Sequence, residues 1–367
     1  MKLLPLSCSM SPGTFVSEFC AMPGRIRREQ DRVGMLPAGI CRRLLEAPSP
    51  LVRESWLCYA NARAVARVVA NVCATRPDIG YFGLFEAALD GTFAAASDQL
   101  LSAARGWLRE RGVGRVIGPV TYNTWFPYRF RLADGDERRF EWEPVNPPDY
   151  VRAVEEAGFE LLERYASTAF GALGDVAEQL RPAYQEARAA GYTFLPITRG
   201  GLAASVRELH RLGHLAFADN LLFEPIPEAL FADAYVGIAD KGRPVLAWFV
   251  VDAAGEAVGF LYAFIDRWHG GRRPETCLVL KSVGIVPAAR GQGLSNALVH
   301  LAITEGLRRG VDYAISALVR AGIHSESYAR RGRFLWQHAY GLWESSVSAT
   351  AGRAPAGSAR RRNRQPR

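Results

Sequence analysis

The residues with the clearest potential for chemistry lie between Arg290 and Ser295, in the sequence Arg-Gly-Gln-Gly-Leu-Ser. An apolar stretch from Thr276 to Val286 precedes them and predicts a strand, which Pro287 must end because proline donates no backbone hydrogen bond. A helical repeat of leucines follows at once. Glycines between a strand and a helix expose backbone N–H groups at the positive end of the helix dipole. This pattern predicts a site for an anion such as pyrophosphate, with Arg290 as a side-chain cation at its mouth.

The spacing of the glycines excludes two common phosphate loops. No Gly-Lys-Ser/Thr follows, as a nucleotide P-loop requires, and the order is not Gly-x-Gly-x-x-Gly. The stretch from Val283 to Leu294 instead resembles the acyl-CoA-binding motif of the GNAT N-acetyltransferase superfamily, whose loop reads Arg/Gln-x-x-Gly-x-Gly/Ala. Ser295 departs from the small Gly or Ala that is usual at the last position, and a purely structural helix cap is the alternative interpretation.

The resemblance implies acetyl-CoA, or another acyl-CoA, as the cofactor. It also implies the residues that bind this cofactor, which are Val283, Gly284, Ile285, Val286, Arg290, Gly291, Gln292, Gly293, Leu294, Ser295 and Asn296.

The reaction that the resemblance implies is a direct attack by an amine on the thioester, with no covalent enzyme intermediate. Backbone N–H groups from Val283 to Ile285, where the strand splays in this superfamily, would stabilise the oxygen that becomes negative in the transition state. The departing thiolate benefits from a proton donor.

Tyr328 is the candidate donor, because it precedes Gly332 by four residues, as the general-acid tyrosine does in many GNAT enzymes. The asparagine expected upstream is absent. Tyr340 is a rival in a segment that is typical of a final strand. Glu275 and His324 are the candidate general bases, since the first begins the motif strand and the second lies near Tyr328 in the sequence.

Two residues are expected to line the acceptor pocket. Asn220 ends a predicted helix, 202–217, at the position where GNAT acceptor pockets are often lined, although a helix cap explains it equally well. Trp125 lies in an aromatic- and proline-rich connection, 118–150, of a kind that is often functional, with capping of the core as the alternative. His210 and His214 are four residues apart on a predicted helix but have no third ligand at a suitable spacing, so no metal site is predicted.

In the segments 83–86, 107–112, 118–119 and 146–150, the first half of the chain resembles, more faintly, the N-terminal part of bacterial tandem GNAT-like acyltransferases. A helix is predicted over 51–72, and a strand, helix, strand order follows up to Val120. Where this half should have its phosphate loop, Leu89 to Ala94, it has Asp90 and lacks the arginine and paired glycines. A carboxylate at that place would repel pyrophosphate. The first half is therefore predicted to be a degenerate repeat that shapes the acceptor pocket.

The predicted fold class is α/β (α+β), with two tandem GNAT-like domains, each a mixed and mostly antiparallel sheet flanked by helices. The 367 residues are enough for two domains. The predicted segments are a loose leader (1–30), a degenerate GNAT-like domain (31–190), a GNAT acyl-CoA-binding catalytic domain (191–347) and a disordered arginine-rich tail (348–367).

Composition excludes several classes of protein. With 49% hydrophobic and 22% charged residues the chain is not disordered, collagen-like or a coiled coil. No apolar run reaches the roughly 18 residues that a membrane helix needs. The six cysteines form no Cys-x-x-Cys pair, and the N-terminal apolar stretch is too short for a secretion signal, so a cytoplasmic location is expected.

The net charge of +8 comes mostly from the tail, because residues 351–367 contain six arginines and no acid, which leaves +2 for the remainder. A nearly neutral folded part does not favour a nucleic-acid partner. An enzyme that uses charged tRNA is therefore the last of the three hypotheses for the function. The leading hypothesis is an N-acyltransferase that acetylates a small-molecule amine. A non-catalytic GNAT-fold module that binds acyl-CoA or a partner is the alternative.

Overall fold

The structure, a computed structural model, describes residues 1–27, 35–46, 52–132, 138–198, 200–240, 243–268, 274–322 and 326–347. The helices are α1 (Pro12–Ile26), α2 (Ala38–Glu46), α3 (Phe93–Arg109), α4 (Pro148–Glu156), α5 (Leu173–Ala189), α6 (Val206–Phe217), α7 (Glu228–Asp240), α8 (Leu294–Arg308) and α9 (Glu326–Arg330). The strands are β1 (Lys2–Pro5), β2 (Arg53–Ala60), β3 (Arg63–Val72), β4 (Ile79–Ala87), β5 (Arg115–Gly118), β6 (Phe130–Arg131), β7 (Glu160–Gly171), β8 (Thr193–Ile197), β9 (Val245–Val251), β10 (Ala257–Trp268), β11 (Glu275–Ile285), β12 (Tyr313–Arg320) and β13 (Arg333–Ser346).

Within the described residues, one continuous sheet runs through the molecule. Its order is β1-β2-β3-β4-β5-β13-β7-β12-β11-β10-β9-β8, and β6 pairs with β13 beside this path. The pairs β4/β5 and β11/β12 are parallel, whereas the other neighbouring strands are antiparallel. Helices cover the sheet, which confirms the predicted class of a mixed, mostly antiparallel sheet flanked by helices.

The order of elements repeats. Apart from β6 and α5, each half runs strand, two helices, three strands, helix, strand, helix, strand, from β1 to β7 and again from β8 to β13. The two halves exchange their last strands, because β7 pairs with β12 of the second half and β13 pairs with β5 of the first. The strands β7 and β13 then pair with each other at the centre. The predicted tandem architecture is therefore confirmed, and the two repeats share one sheet.

The helix predicted over 51–72 is wrong, because β2 and β3 form a hairpin there, with positive φ angles of 49° at Asn61 and 61° at Ala62 in the turn. Nearly every residue of β3 is buried. Apolar spacing cannot distinguish a helix from a strand that is buried on both faces, so the pattern of Val and Ala was ambiguous.

The description of residues 1–30 as a loose leader is also wrong for the described part, 1–27. The strand β1 pairs with β2, and α1 packs against α2. The buried residues of α1 include Phe15, Val16, Phe19 and Met22, which share one helical face. The glycines and prolines around these residues obscured their helical spacing in the sequence. The predicted disordered tail, 348–367, lies outside the described residues.

The second half places α5 and α8 on one face of its strands and α6 and α7 on the other. Residues of β10 and β11 alternate between these two cores. For example, Leu261 packs with the α8 side, whereas Tyr262 packs with the α6 side. This sandwich fixes the end of β11 and the start of α8 next to each other.

Candidate functional site

The strands β11 and β12 separate at one end and leave a gap in the sheet. Their parallel pairing runs from Cys277 opposite Tyr313 to Leu280 opposite Ser316. On the other side, β10 pairs Tyr262 with Ser282 and Ala263 with Leu280, so Lys281 is an extra residue in a β-bulge. From Lys281 onward β11 pairs with β10 alone. We call this gap the β11–β12 opening, bounded by residues 281–285 and 317–320.

Two backbone amides of β11 face the β11–β12 opening. The amide of Val286 donates to the carbonyl of Val258 at 2.9 Å. The backbone amides of an antiparallel strand point alternately to one side and the other, so the amide of Gly284 also points toward β10. The two amides that point the other way, into the opening, are those of Val283 and Ile285. The edge of the opening therefore presents N–H donors that no β-ladder partner uses.

The loop after β11 ends in an exposed helix N-terminus. Gly291 and Gly293 have φ angles of +83° and +70°, a conformation that favours glycine. The first bond within α8 runs from the Ala297 amide to the Gly293 carbonyl at 3.0 Å, so the amides of residues 294–296 point out of the helix end. The hydroxyl of Tyr192 donates to Oε1 of Gln292 at 2.7 Å and fixes the loop to the start of the second half. This arrangement suits an anion.

The side chain of Arg290 links the end of α6 to the end of β11. Its guanidinium donates to the Ala216 carbonyl at 3.0 Å and to the Ile285 carbonyl at 3.3 Å, and pairs with Asp219 at 3.2 Å. The predicted cation at the loop is thus partly neutralised by a carboxylate. In the spacing Arg/Gln-x-x-Gly-x-Gly/Ala, Arg290 takes the first position and Gly293 the fourth, so only Ser295, at the last position, departs from the motif.

Tyr328 reaches the same loop from α9. It is only 2% exposed, and its hydroxyl is hydrogen-bonded to the side chain of Ser295 in the first turn of α8. Burial raises the pKa of Tyr328 above its usual value, and the bond to Ser295 lowers it by a smaller amount. The structure therefore brings together three of the predicted features: the glycine loop, Ser295 and Tyr328.

Of the other predicted catalytic residues, Glu275 is not brought to the opening. Glu275 begins β11, six residues before Lys281 and thus about 20 Å away along the strand, and it pairs with Arg138 at 3.1 Å. Its assignment as a base near the β11–β12 opening is wrong for this reason. His324 lies outside the described residues. The rival donor Tyr340 is completely buried in β13.

A cavity of about 300 Å³ lies between the two halves and reaches the opening at Val283. We call it the interdomain cavity. Both predicted acceptor residues, Trp125 and Asn220, are in its wall. Its lining consists of residues 35–37 and 40, the connection 124–129, Trp142 and Pro144 from the first half, and Phe217, residues 220, 221 and 223, Asp233, Tyr235, residues 281–283 and 317–319 from the second.

Contacts across the halves position Trp125. Its indole N–H donates to the Glu224 carbonyl at 2.7 Å, and its ring stacks on His214 at 5.2 Å. His210 Nε2 lies 2.7 Å from the Ile226 carbonyl, and the Ile226 amide donates to His214 Nε2 at 3.1 Å. These histidines hold the segment after α6 in place. Among the described residues, no group of three or more His, Cys, Asp and Glu is arranged to hold a metal ion.

Two cations in the wall of the interdomain cavity, Arg129 and Lys281, were missed at the level of sequence. The ammonium of Lys281 lies 4.8 Å from the ring centroid of Trp142 and 5.5 Å from that of Tyr235. Burial, and secondarily the charge of Arg129, lowers the pKa of Lys281 to about 8. The signal available in the sequence was a single lysine inside an otherwise apolar strand.

The corresponding place in the first half is closed by the chain itself. Pairing of β4 with β5 ends at Tyr81 opposite Ile117, and the Val120 amide then donates to the Phe82 carbonyl at 2.7 Å. A Cβ on Gly83 would lie 2.3 Å from the Val120 carbonyl oxygen, which leaves no space there.

A carboxylate also stands at the N-terminus of α3 in the first half. Oδ1 of Asp90 accepts a hydrogen bond from the amide of Thr92, the N-cap residue of this helix, at 2.8 Å. Hydrogen bonds from Thr92 lower the pKa of Asp90 below its usual value. The helix end that corresponds to the anion site of the second half therefore has a negatively charged neighbour.

Comparison with known proteins identifies the fold. The chain is similar to a tandem GNAT protein from the clavulanic acid biosynthesis pathway (TM-score 0.52, 11% identity, covering 94% of this chain and 98% of that one). It is also similar to an Enterococcus faecalis V583 protein of unknown function described as a probable N-acyltransferase (TM-score 0.56, 9% identity, covering 95% of this chain and 72% of that one). A third similar structure is a glucosamine N-acetyltransferase region of a fungal multi-domain β-N-acetylglucosaminidase. Its TM-score is 0.55 at 14% identity, and the match covers 94% of this chain and 38% of that one. A search of curated proteins gave no significant match.

Within the described residues, no helix is both long and apolar enough to cross a membrane. The model of the acetyltransferase (GNAT) family matches residues 209–332, which include α8, the glycine loop and Tyr328. Residues 209–332 therefore belong to the GNAT acetyltransferase family, within a chain that has the fold of a tandem GNAT protein.

Proposed function

We propose that the protein transfers an acetyl group from acetyl-CoA to an amine of a small molecule, by direct attack in a ternary complex. The observation that carries this proposal is the meeting of three features at the end of β11: the helix N-terminus of α8, the free amides of Val283 and Ile285, and the interdomain cavity.

The residues present fit an acyl-CoA. Its pyrophosphate matches the amides of residues 294–296 and the positive-φ glycines before them. Its extended pantetheine arm, which carries amide groups, matches the N–H donors at the edge of the β11–β12 opening. When bound, the acyl-CoA supplies the activated thioester. The first half offers no equivalent among the described residues, because Val120 closes its opening and Asp90 stands at its helix end.

The chain's own residues have distinct roles in this proposal. The amide of Val283, at the junction of the opening and the cavity, donates to the oxygen that becomes negative in the transition state. Tyr328, whose raised pKa keeps the hydroxyl protonated at neutral pH, delivers its proton to the leaving sulfur as the C–S bond breaks. The proton that the attacking amine loses as the C–N bond forms then restores the tyrosine hydroxyl. The interdomain cavity holds the acceptor amine. The cysteines are all free, which supports the reducing cytoplasm as the location.

The test is calorimetric titration with acetyl-CoA and longer acyl-CoAs. Gly293→Asp places a carboxylate at the start of α8, and we expect it to weaken binding by about 100-fold. Gly310→Asp is the matched control, because Gly310 also has a positive φ, +76°, with free space around it, but lies beyond the other end of α8. We expect it to bind normally.

Thiol release with a panel of amines then tests turnover. Release that depends on the amine supports the enzyme. Binding without release from any amine would favour the non-catalytic module instead. Absence of acyl-CoA binding by the wild type would refute the transferase and leave a module that binds a partner.

A further inference from the structure

We propose that the acceptor amine carries an anionic group, a carboxylate, and that Arg129 and Lys281 bind this group in the wall of the interdomain cavity. This inference rests on the proposed function, since it concerns the second substrate of the same site.

Arg129 is built into the cavity as a buried cation. It is 7% exposed, and its guanidinium carbon lies 3.7 Å from the ring centroid of Tyr128 and 4.0 Å from that of Tyr165. Its φ of +82° is a conformation that side-chain-bearing residues rarely adopt, so the surrounding structure enforces this placement. Its Nε is buried and has no hydrogen-bond partner among the described residues. A buried guanidinium that no described carboxylate neutralises favours an anionic ligand.

Lys281 supplies the second cation. It stands at the β-bulge where the opening begins, with its ammonium between the rings of Trp142 and Tyr235. No carboxylate of the described residues forms an ion pair with Lys281 or Arg129. Burial and the nearby guanidinium lower the pKa of Lys281 to about 8, and a bound carboxylate would favour its charged form again.

The acid in the wall does not balance these charges. Asp233 lines the cavity, but Arg43 already pairs with it at 2.7 Å. The remaining wall is largely aromatic, with Trp125, Phe217 and Phe223 among its members. A ligand with an apolar body and one carboxylate matches this wall in both charge and polarity.

The position of the cations also limits the acceptor. Lys281 and Val283 are two positions apart on β11, about 7 Å along the strand. A small acceptor in which the carboxylate and the reacting amine are a few bonds apart, as in an amino acid, is compatible with this spacing.

The experiment compares 3-phenylpropionate with the neutral 3-phenylpropanamide, which has nearly the same shape, by quenching of tryptophan fluorescence. We expect the wild type to bind the carboxylate about tenfold more tightly than the amide. Arg129→Met and Lys281→Met should each reduce this preference about fivefold or more. Arg188→Met is the control for loss of one charge, because Arg188 is exposed on α5 far from the cavity lining, and it should keep the preference.

Equal binding of the two probes by the wild type, or binding of neither at about 20 mM, overturns the inference without recourse to any variant. Preference that survives in both Arg129→Met and Lys281→Met also overturns it. Acetyl-CoA titration of the same samples separates the two proposals. If acetyl-CoA binds and the carboxylate is not preferred, only the acceptor inference fails, whereas loss of acetyl-CoA binding by the wild type refutes the proposed function.

Discussion

Lys281 in the second half places its ammonium 4.8 Å from the ring centroid of Trp142 in the first half. Trp142 has a φ of +71° and stacks on Tyr262 of β10 at 6.4 Å between ring centroids. A cation over an indole face contributes about 0.5–2 kcal/mol, depending on how far it is desolvated. The connection of the first half therefore forms part of the wall against which the charge of the second half is held.

Lys281→Met should raise thermal stability at neutral pH. The folded-state pKa of Lys281, about 8, lies below the ordinary value of 10.5, so the unfolded chain binds more protons between these values and stability rises with pH there. Below pH 8 the charged ammonium lowers the free energy of unfolding by its full amount, and above about pH 10.5 this destabilisation is absent. Because the ammonium still faces the cavity, we expect a gain of about 1–3 kcal/mol at pH 7 that shrinks toward pH 10.

Thermal unfolding between about pH 6.5 and 10 measures this effect. Lys2→Met is the control, because Lys2 is exposed on β1 and should show no such pH dependence. A Lys281→Met protein that is destabilised equally at all pH values would show that the lysine is not held as a costly buried cation.

Tyr328→Phe should reduce kcat by about 100-fold while the affinity for acetyl-CoA stays within about twofold. The phenyl ring keeps the packing of the buried side chain and removes only the hydroxyl that reaches Ser295. Ser295→Ala is the matched control, since it removes the hydrogen-bond partner and retains the tyrosine hydroxyl. Steady-state thiol release and calorimetry give the two quantities. Unchanged kcat in Tyr328→Phe would assign this tyrosine to packing alone.

Asp219→Asn should strengthen acetyl-CoA binding. Asp219 pairs with Arg290 at 3.2 Å and adds a negative charge near the glycine loop, so its neutralisation leaves more positive potential for a pyrophosphate. Both groups are largely exposed, and we expect a gain of only about two- to fivefold at low salt, lost near 1 M salt. Arg290→Ala should weaken binding by a similar factor. If neither variant changes the affinity, Arg290 serves only to link α6 to β11.

The sequence predicted the parts of the site that are local. The strand expected over 276–286 is Glu275–Ile285, and the helix begins at Leu294 as expected. These features follow from a proline, two glycines and a leucine repeat that are adjacent in the chain, so no tertiary contact was needed to find them.

The acceptor side of the site depends on contacts between distant residues. Arg129 and Lys281 belong to different halves, and only the fold brings both into one cavity wall. In the sequence a lysine inside an apolar strand is equally compatible with an exposed face. Glu275 was misassigned for the related reason that a strand is extended, which makes a residue of the same strand distant from the motif.

The exchange of β7 and β13 predicts where the chain can be divided. A fragment 191–347 lacks β7, which lies between β12 and β13, so two strand edges would be exposed and we expect it to aggregate. A fragment 159–347 retains β7 and thus the order β13-β7-β12-β11-β10-β9-β8 without a gap. We expect this longer fragment to be monomeric by size-exclusion chromatography, to give a cooperative unfolding transition, and to bind acetyl-CoA. Co-expression of 1–158 with 159–347 should then restore the interdomain cavity, whose wall needs both halves. A well-folded 191–347 fragment that binds acetyl-CoA would contradict the structural role of β7 as the strand that joins β12 to β13.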